Sequence, residues 1–412
     1  MKRTISAIVF FSVVLLMFTG CVDKEQMTAS HYAEIDLSDF SDGFYHARYL
    51  YPDEIPPWDL YDADQILGIA ENILAFQNDD GGWPKNIDYQ RIFTQKELMA
   101  VDTSGIEPST LDNRNTYTQI RYLCRVWNQV KNFDELEPEK YLNSAIEGIK
   151  WILSVQHPVN GGFAGYDVDA ITFNDDVMTG TLRLLRDIAN GTECFSDIPP
   201  ELREMAQTAY DRGIECILKT QIYITLPEEG VLLTAWCQQH SNEEPFAPVW
   251  ARSFEPPAIC SRESFEILKL LMEIPEPDDN IIEAVRAGCE FFSRDDVRIS
   301  GKRIETVETE PVTLNDHTYT TDRFMVDDPD ADDMWARFYA LDGSFDVISG
   351  APDEISGEYP HVLSPVWCDS NCIYVREYND LSRERRNGYS YVISGGDQLL
   401  KMYEEWEKTI SQ

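Results

Sequence analysis

Two short acidic turns carry the first residues with chemical potential. Asp112 and Asn113 stand just before a helical pattern that begins near Thr116, and Asp175 and Asp176 stand at the start of another. Asp and Asn are good helix N-caps, because their side-chain oxygens accept from free backbone N–H groups. Capping is therefore one reading of both pairs. Ligation is the other: adjacent carboxylates repel, and the repulsion is tolerable where a cation sits between them and a substrate. Three cations accompany them. Arg252, in "VWARSFE", follows a Pro-broken loop, and a lone arginine there reads first as a surface or salt-bridge residue. Arg337, in "MWARFYAL", offers a planar fork that donates two bonds to a carboxylate, or pairs with the acids at 327–333. Lys269, in "EILKLLM", has apolar neighbours, so it either snorkels out of a core helix or points into a cleft. The six histidines have no metal-ligand spacing, and no Gly-x-Ser-x-Gly or phosphate-binding loop is present.

The elements that must position these residues repeat. "ILAFQNDDGGW" from Ile73, "ILSVQHPVNGGF" from Ile152 and "ILKTQIYITLPEEGVLLTAW" from Ile217 each run Ile-Leu, a Gln three residues after the Leu, a Gly-containing turn and an aromatic. A weaker fourth copy starts at Cys289. Between them lie helical patterns such as "TYTQIRYLCRVWNQV" and "DVMTGTLRLLRDIANG", the second stopped by Asn190-Gly191. Alternating strand patterns are few. The internal repeat leads to an all-α expectation: helical hairpins, each with an outer and an inner helix, closing into an α/α toroid around a central cleft. Gly81-Gly82 allow the first turn, while Trp83 either packs at the corner or stacks on a sugar, and Lys85 is in reach of the cleft.

The chain of 412 residues has a formal charge of -39, which disfavours nucleic acid as a partner, since phosphate contact needs a basic surface. A polyanionic sugar remains admissible if a divalent metal screens it and the basic residues gather in one cleft. Lys2 and Arg3, the apolar run from Ala7 to Phe18 and Thr19-Gly20-Cys21 form a signal-peptide pattern resembling a bacterial lipobox, with Cys21 as the lipidated first mature residue. A plain secretory signal is the alternative. The expected organisation is a signal over 1–20, a tether and lead-in over 21–60, and one catalytic domain over 61–412. Cys124, Cys216 and Cys289 sit in apolar helical stretches and read as buried thiols, whereas Cys368 and Cys372 are close enough in sequence to form a disulfide or to stay reduced.

Seven segments occur in an order that resembles the pectate lyases of polysaccharide lyase family 10: "LDNRNTYTQIRYL" (111–123), "ITFNDDVM" (171–178), "RGIECILKTQ" (212–221), "LTAWCQQH" (233–240), "ARSFEPPAICSRES" (251–264), "MWARFYAL" (334–341) and "ERRNGYSYV" (384–392). The resemblance implies an α/α toroid that cleaves polygalacturonate by calcium-assisted β-elimination, giving unsaturated oligogalacturonides. It implies Asp112, Asp175 and Asp176 as calcium ligands, with one of the last two acting only as a cap. It further implies Asn113, Lys269 and Arg337 as substrate contacts and Arg252 as the base that takes the C5 proton. The last role has a physical difficulty, because arginine has a pKa above about 12 and accepts a proton only where its charged form is penalised. Arg385 and Arg386 read as structural pairing. The chain departs from the family pattern at Gly161-Gly162-Phe163-Ala164, where the family has Gly-Gly-Trp-Pro, and in a longer, more acidic stretch over 344–377. Two readings from other classes stand beside it: a toroid that binds pectic oligosaccharide without cleaving it, and a glycoside hydrolase with an Asp/Glu pair. The Gln…Gly-x-Trp turns and "DADD" (330–333) also resemble triterpene cyclases, which are much longer.

Overall fold

A computed structural model describes residues 32–48, 58–314, 317–352 and 355–410. The expected signal peptide and Cys21 lie outside the described residues. Helices dominate the first part of the chain: α1 (Ser41–Arg48), α2 (Ile66–Ala75), α3 (Tyr117–Val130), α4 (Glu139–Val155), α5 (Val177–Asn190), α6 (Pro200–Thr220), α7 (Ser261–Met272) and α8 (Asp279–Ser293), with α9 (Gly396–Ile410) at the end. α3 packs on α4, α5 on α6 and α7 on α8. The amphipathic pattern explains this. Ile120, Leu123, Cys124 and Val126 of α3 are buried, as are Leu182, Leu185 and Ile188 of α5. Part of the expected lead-in is packed as well. Phe40 and Phe44 of the α1 region are buried and stacked 5.4 Å apart, and Phe40 meets Tyr89 and Tyr122 edge-on.

The repeat has a physical purpose. Gln77 donates to the carbonyls of Gly81 and Ser144, Gln156 to those of Gly161 and Ala209, and Gln221 to those of Thr234 and Ala284. Each amide thus closes its own turn and ties the end of one helix to the next: α2 to α4, α4 to α6, α6 to α8. The aromatic of each turn fills the corner. Trp83, Trp236 and Trp335 are fully buried, and their indole N–H groups donate to the carbonyls of Ile73, Ile217 and Phe292. Trp335 completes the weak fourth copy, far from Cys289 in sequence. Trp83 is therefore a packing residue and does not face a ligand. Gly81 and Gly161 take φ of +98° and +77°, and a Cβ on either would stand 2.6 Å from the carbonyl oxygen of Glu147 or Arg212.

The all-α toroid expectation is not met. Of the described residues 41% are helix and 16% strand. A long antiparallel hairpin joins Lys302–Leu314 to His317–Asp327, with an irregularity between Glu308 and Val312. Short antiparallel pairs link the loops: Ile171–Thr172 with Gln239–His240, and Ile259–Cys260 with Phe338–Tyr339. A three-stranded sheet joins Arg298–Ile299, Met334–Ala336 and Val392–Ile393. Two-residue strands have no period to read. The first strand of the long hairpin is mostly exposed and the second mostly half-buried, and neither carries a sustained apolar-polar alternation in sequence. The disulfide left open by spacing is not formed: Cys368 keeps a buried thiol that donates to the carbonyl of Ser253.

Candidate functional site

The loops ahead of α3, α5 and α7 bring the candidate residues together. The first two are tight turns in the left-handed region. Asn113, Arg114 and Thr116 have φ of +53°, +59° and +62°, and Asp175 and Asp176 have +52° and +58°. Such angles cost non-glycine residues free energy and persist where surrounding contacts fix them. Thr116 is held by its hydroxyl donating to Thr110 O at 2.8 Å and accepting from Trp83 N at 3.3 Å. The Asp112 and Asp175 pairs are thus not simple N-caps: neither α3 nor α5 has a side-chain cap bond.

Asp112 is buried and bound by Lys85 Nζ at 2.6 Å. Lys85 also lies 4.0 Å above the Tyr166 ring. Asn113 donates to Asn86 Oδ1 at 2.7 Å. Asp175 accepts from the Asn174 amide at 2.9 Å. Burial pushes its pKa up to about 8, and the charges of Asp112 and Asp42 add to the shift while Arg337 and Arg252 oppose it. Asp176 is paired with Arg114 at 2.8 Å. Asp42 and Tyr45 of α1 line a cavity of about 360 Å³ with Arg114, Asp175, Asp176 and Arg262. A neighbouring cavity of about 350 Å³ is lined by Asp175, Arg262, Glu263, Arg337, Ser390 and residues 392–394. A larger cavity, about 690 Å³, is bordered by Lys302 and residues 357–379 and contains none of the candidate residues.

Arg337 is fixed from both sides. The Ile259–Cys260 strand pairs with Phe338–Tyr339, Arg337 N donates to Tyr391 O, and Arg337 O accepts from Ser261 N. Its guanidinium donates to Glu263 at 2.5 Å and to Asn174 at 3.1 Å, and lies 4.4 Å above the Tyr389 ring. Nε has no partner among the described residues. Arg252 is clamped by buried Glu255 through Nε at 2.8 Å and NH2 at 2.5 Å. Burial pulls the Arg252 pKa down, yet the Glu255 carboxylate outweighs it and the guanidinium is held above its ordinary value, with Asp175 contributing. Burial raises Glu255 in turn, but Arg252, Arg337 and Gln238 more than offset this, and its carboxyl titrates well below the usual range.

Lys269 is not brought to this group. Its ammonium is held by Glu266 at 2.8 Å, within a network that includes Arg183, and it lines neither cavity. Arg386 makes a bidentate bond to Asp322, and Arg385 pairs with Glu384, so both are structural. Glu255, Glu263, Tyr389 and Asp42 were missed in the sequence. The first three lie inside quoted segments, Glu255 three residues after Arg252 and Glu263 one after Arg262, but an acid is a weak signal in a chain with 73 of them.

Asp112 and Asp175 supply two oxygen-donating side chains whose mutual repulsion a hard cation would relieve, so they fit such an ion. Among the described residues no group of three or more acidic, His or Cys side chains is placed to hold a metal. Further oxygens would have to come from substrate and water.

A pectic acid lyase family model matches residues 77–400. No curated protein matches the chain. Among solved structures, a family 10 polysaccharide lyase from Cellvibrio cellulosa superposes with a TM-score of 0.62 at 22% identity, covering 91% of this chain and 98% of that one. An aspartate-to-alanine mutant of the Cellvibrio enzyme in complex with trigalacturonic acid gives 0.61 at 22% identity, covering 90% and 99%. At that identity the structures speak for the fold alone; the family model, which spans most of the chain, speaks for descent, and the chain belongs to the pectic acid lyase family.

Proposed function

We propose that the loops ahead of α3, α5 and α7 form the cleft in which this polysaccharide lyase cleaves polygalacturonate by calcium-assisted β-elimination. The observation that carries the reading is that the turns bearing Asp112 and Asp175 pack on each other and that Asp175 and Arg337 line one cavity, with the charges of Asp112 and Arg252 acting on Asp175. That a related fold was solved with trigalacturonic acid supports the substrate. β-Elimination removes the C5 proton beside the uronate carboxylate and expels the C4 oxygen, so charge grows on that carboxylate. Asp112 and Asp175 would hold the calcium, which when bound acidifies C5 and stabilises the developing charge. Asp176 instead holds the turn ahead of α5 through its pair with Arg114.

Arg337 binds the uronate carboxylate with the donors its Glu263 and Asn174 bonds leave over. Asn113 contacts the sugar from the opposite turn. Arg252 takes the C5 proton. Glu255 and Asp175 both favour its charged form in the free protein. Neutralising Asp175 removes one of these charges and moves the guanidine toward the state that accepts a proton. Lys269 has no role in this reading.

The test is the ultraviolet absorbance of the unsaturated product. Activity on polygalacturonate should vanish with a chelator and return with calcium. Full activity in excess chelator would overturn the metal assignment, and new reducing ends without absorbance would indicate hydrolysis instead. We also propose export with a lipid anchor at Cys21, on the signal pattern before it. A Cys21→Ser variant should then leave the bacterial membrane fraction, and retention there would overturn the anchor.

A further inference from the structure

The two cavities beside Asp175 share Arg262, and this arginine is under-used. It lies in the first turn of α7, with its side chain 36% exposed. It makes no hydrogen bond among the described residues: Asp176 Oδ1 and Glu266 Oε1 each stand 3.9 Å from it. Asp176 already has a close partner in Arg114 at 2.8 Å, so a second guanidinium is not required to neutralise it. Arg262 therefore keeps five N–H donors for something else. Arg114, with its side chain 33% exposed, presents further donors on the same wall. Across from them, α1 contributes Tyr45, which is 60% exposed where an aromatic of this size is usually covered. α1 lies ahead of the residues matched by the family model, while Arg114 and Arg262 lie within them.

Every sugar of a polygalacturonate chain carries a carboxylate. Substrate running past Arg337 into the second cavity would place its next uronate against Arg262 and Arg114, with the apolar face of the ring against Tyr45. Charge-assisted, bidentate pairing of guanidinium and carboxylate is the chemistry these groups suit. We propose that Arg262, Arg114 and Tyr45 form a second uronate subsite, next to the one at Arg337, which holds the chain across the reacting bond. The inference rests on the polygalacturonate reading above, and it makes Arg262 a substrate-binding residue.

The test compares wild type with Arg262→Gln, Arg262→Lys and Tyr45→Ala, using galacturonate oligomers of increasing length and the polymer. Unsaturated-product kinetics and calorimetric binding are measured in parallel, and melting temperature reports folding. Arg262→Gln should raise KM for the polymer about tenfold, since one charged hydrogen-bonded pair is lost. The loss should grow with substrate length, Lys should recover part of it, and Tyr45→Ala should move KM in the same direction. An unchanged polymer KM, or an equal loss at every length, would overturn the subsite. If wild type forms no unsaturated product yet its binding of longer oligomers weakens in Arg262→Gln, the subsite stands and the lyase reading falls.

Discussion

The repeat corners and the acidic turns solve one geometric problem in two ways. Both need a residue in the left-handed region where chain leaves or enters a helix. At the corners that residue is Gly81 or Gly161, and the turn is sealed by a Gln and an aromatic. At the acidic turns it is Asn113, Arg114, Thr116, Asp175 or Asp176, each strained by its own Cβ. The corners thus relax the backbone and spend their side chains on packing. The turns accept strain and keep polar side chains where the cleft is. Substitutions at the corners should consequently register in stability, and substitutions at the turns and the arginines facing them in turnover.

The largest expected effect tests the catalytic side. Arg252→Lys should lower kcat by about a thousandfold, in the range of a lost general base, with KM changed little. Lysine is a shorter point charge and cannot place a nitrogen where the guanidinium reaches C5. A variant with kcat near wild type would remove Arg252 from the chemistry. Loss mainly in KM would make it a binder instead.

The next test belongs to the third corner and uses pH. His240 is buried beyond Trp236, where its Nε2 accepts from Cys237 N and its Nδ1 donates to Phe246 O. Burial lowers its pKa to about 4, with the Phe246 bond opposing. The unfolded chain, with histidine near 6.5, binds a proton first as pH falls. Above that value His240 contributes no pH dependence. Between about 6.5 and 4 it destabilises the fold progressively, by about 3 kcal/mol, and below 4 the contribution is constant. Denaturant titrations of wild type and His240→Gln should show this slope only in wild type. Parallel curves would remove His240 as a source.

A smaller effect is expected from Gln156→Ala. Its amide bonds to Gly161 O and Ala209 O are buried, so the variant strands two acceptors at the α4–α6 junction and should lose about 2 kcal/mol. Its kcat should stay near wild type, since Gln156 lies at a corner. A tenfold fall in kcat at unchanged stability would break the division between corners and turns.

The same division explains what could be read from the sequence. The corners recur, so Gln77, Gln156 and Gln221 and the turns after them were legible, and with them the helical hairpins. Asp112 and Asp175 were legible as helix starts, but their left-handed angles were not, because Asp and Asn suit a cap equally well. Glu255 and Asp42 escaped because an acid that clamps Arg252 or pairs with His46 looks like any other acid until the fold brings them together. The two-residue strands and the placement of Lys269 depend on which loops meet, and sequence-local periodicity does not encode that. The packed α1 escaped for another reason. Its burial rests on Phe44 stacking on Phe40, which in turn meets Tyr89 and Tyr122, residues remote in sequence.

The smallest predicted effect bears most directly on the strain. Asn113 sits at φ +53°, ψ +39°, a region that glycine enters without steric cost. Asn113→Gly keeps the backbone path and removes the Cβ contact. It also removes one side-chain bond, to Asn86. Asparagine tolerates this region better than most residues, so the relief is modest, and glycine's extra freedom in the unfolded chain offsets part of it. A net gain of up to about 1 kcal/mol is expected, seen as a raised melting temperature. Activity should move the other way, because the amide proposed to contact the sugar is gone, and KM should rise more than kcat falls. A variant that is less stable and equally active would mean that the turn is held by the Asn113–Asn86 bond, and that the strain has no share in shaping the cleft.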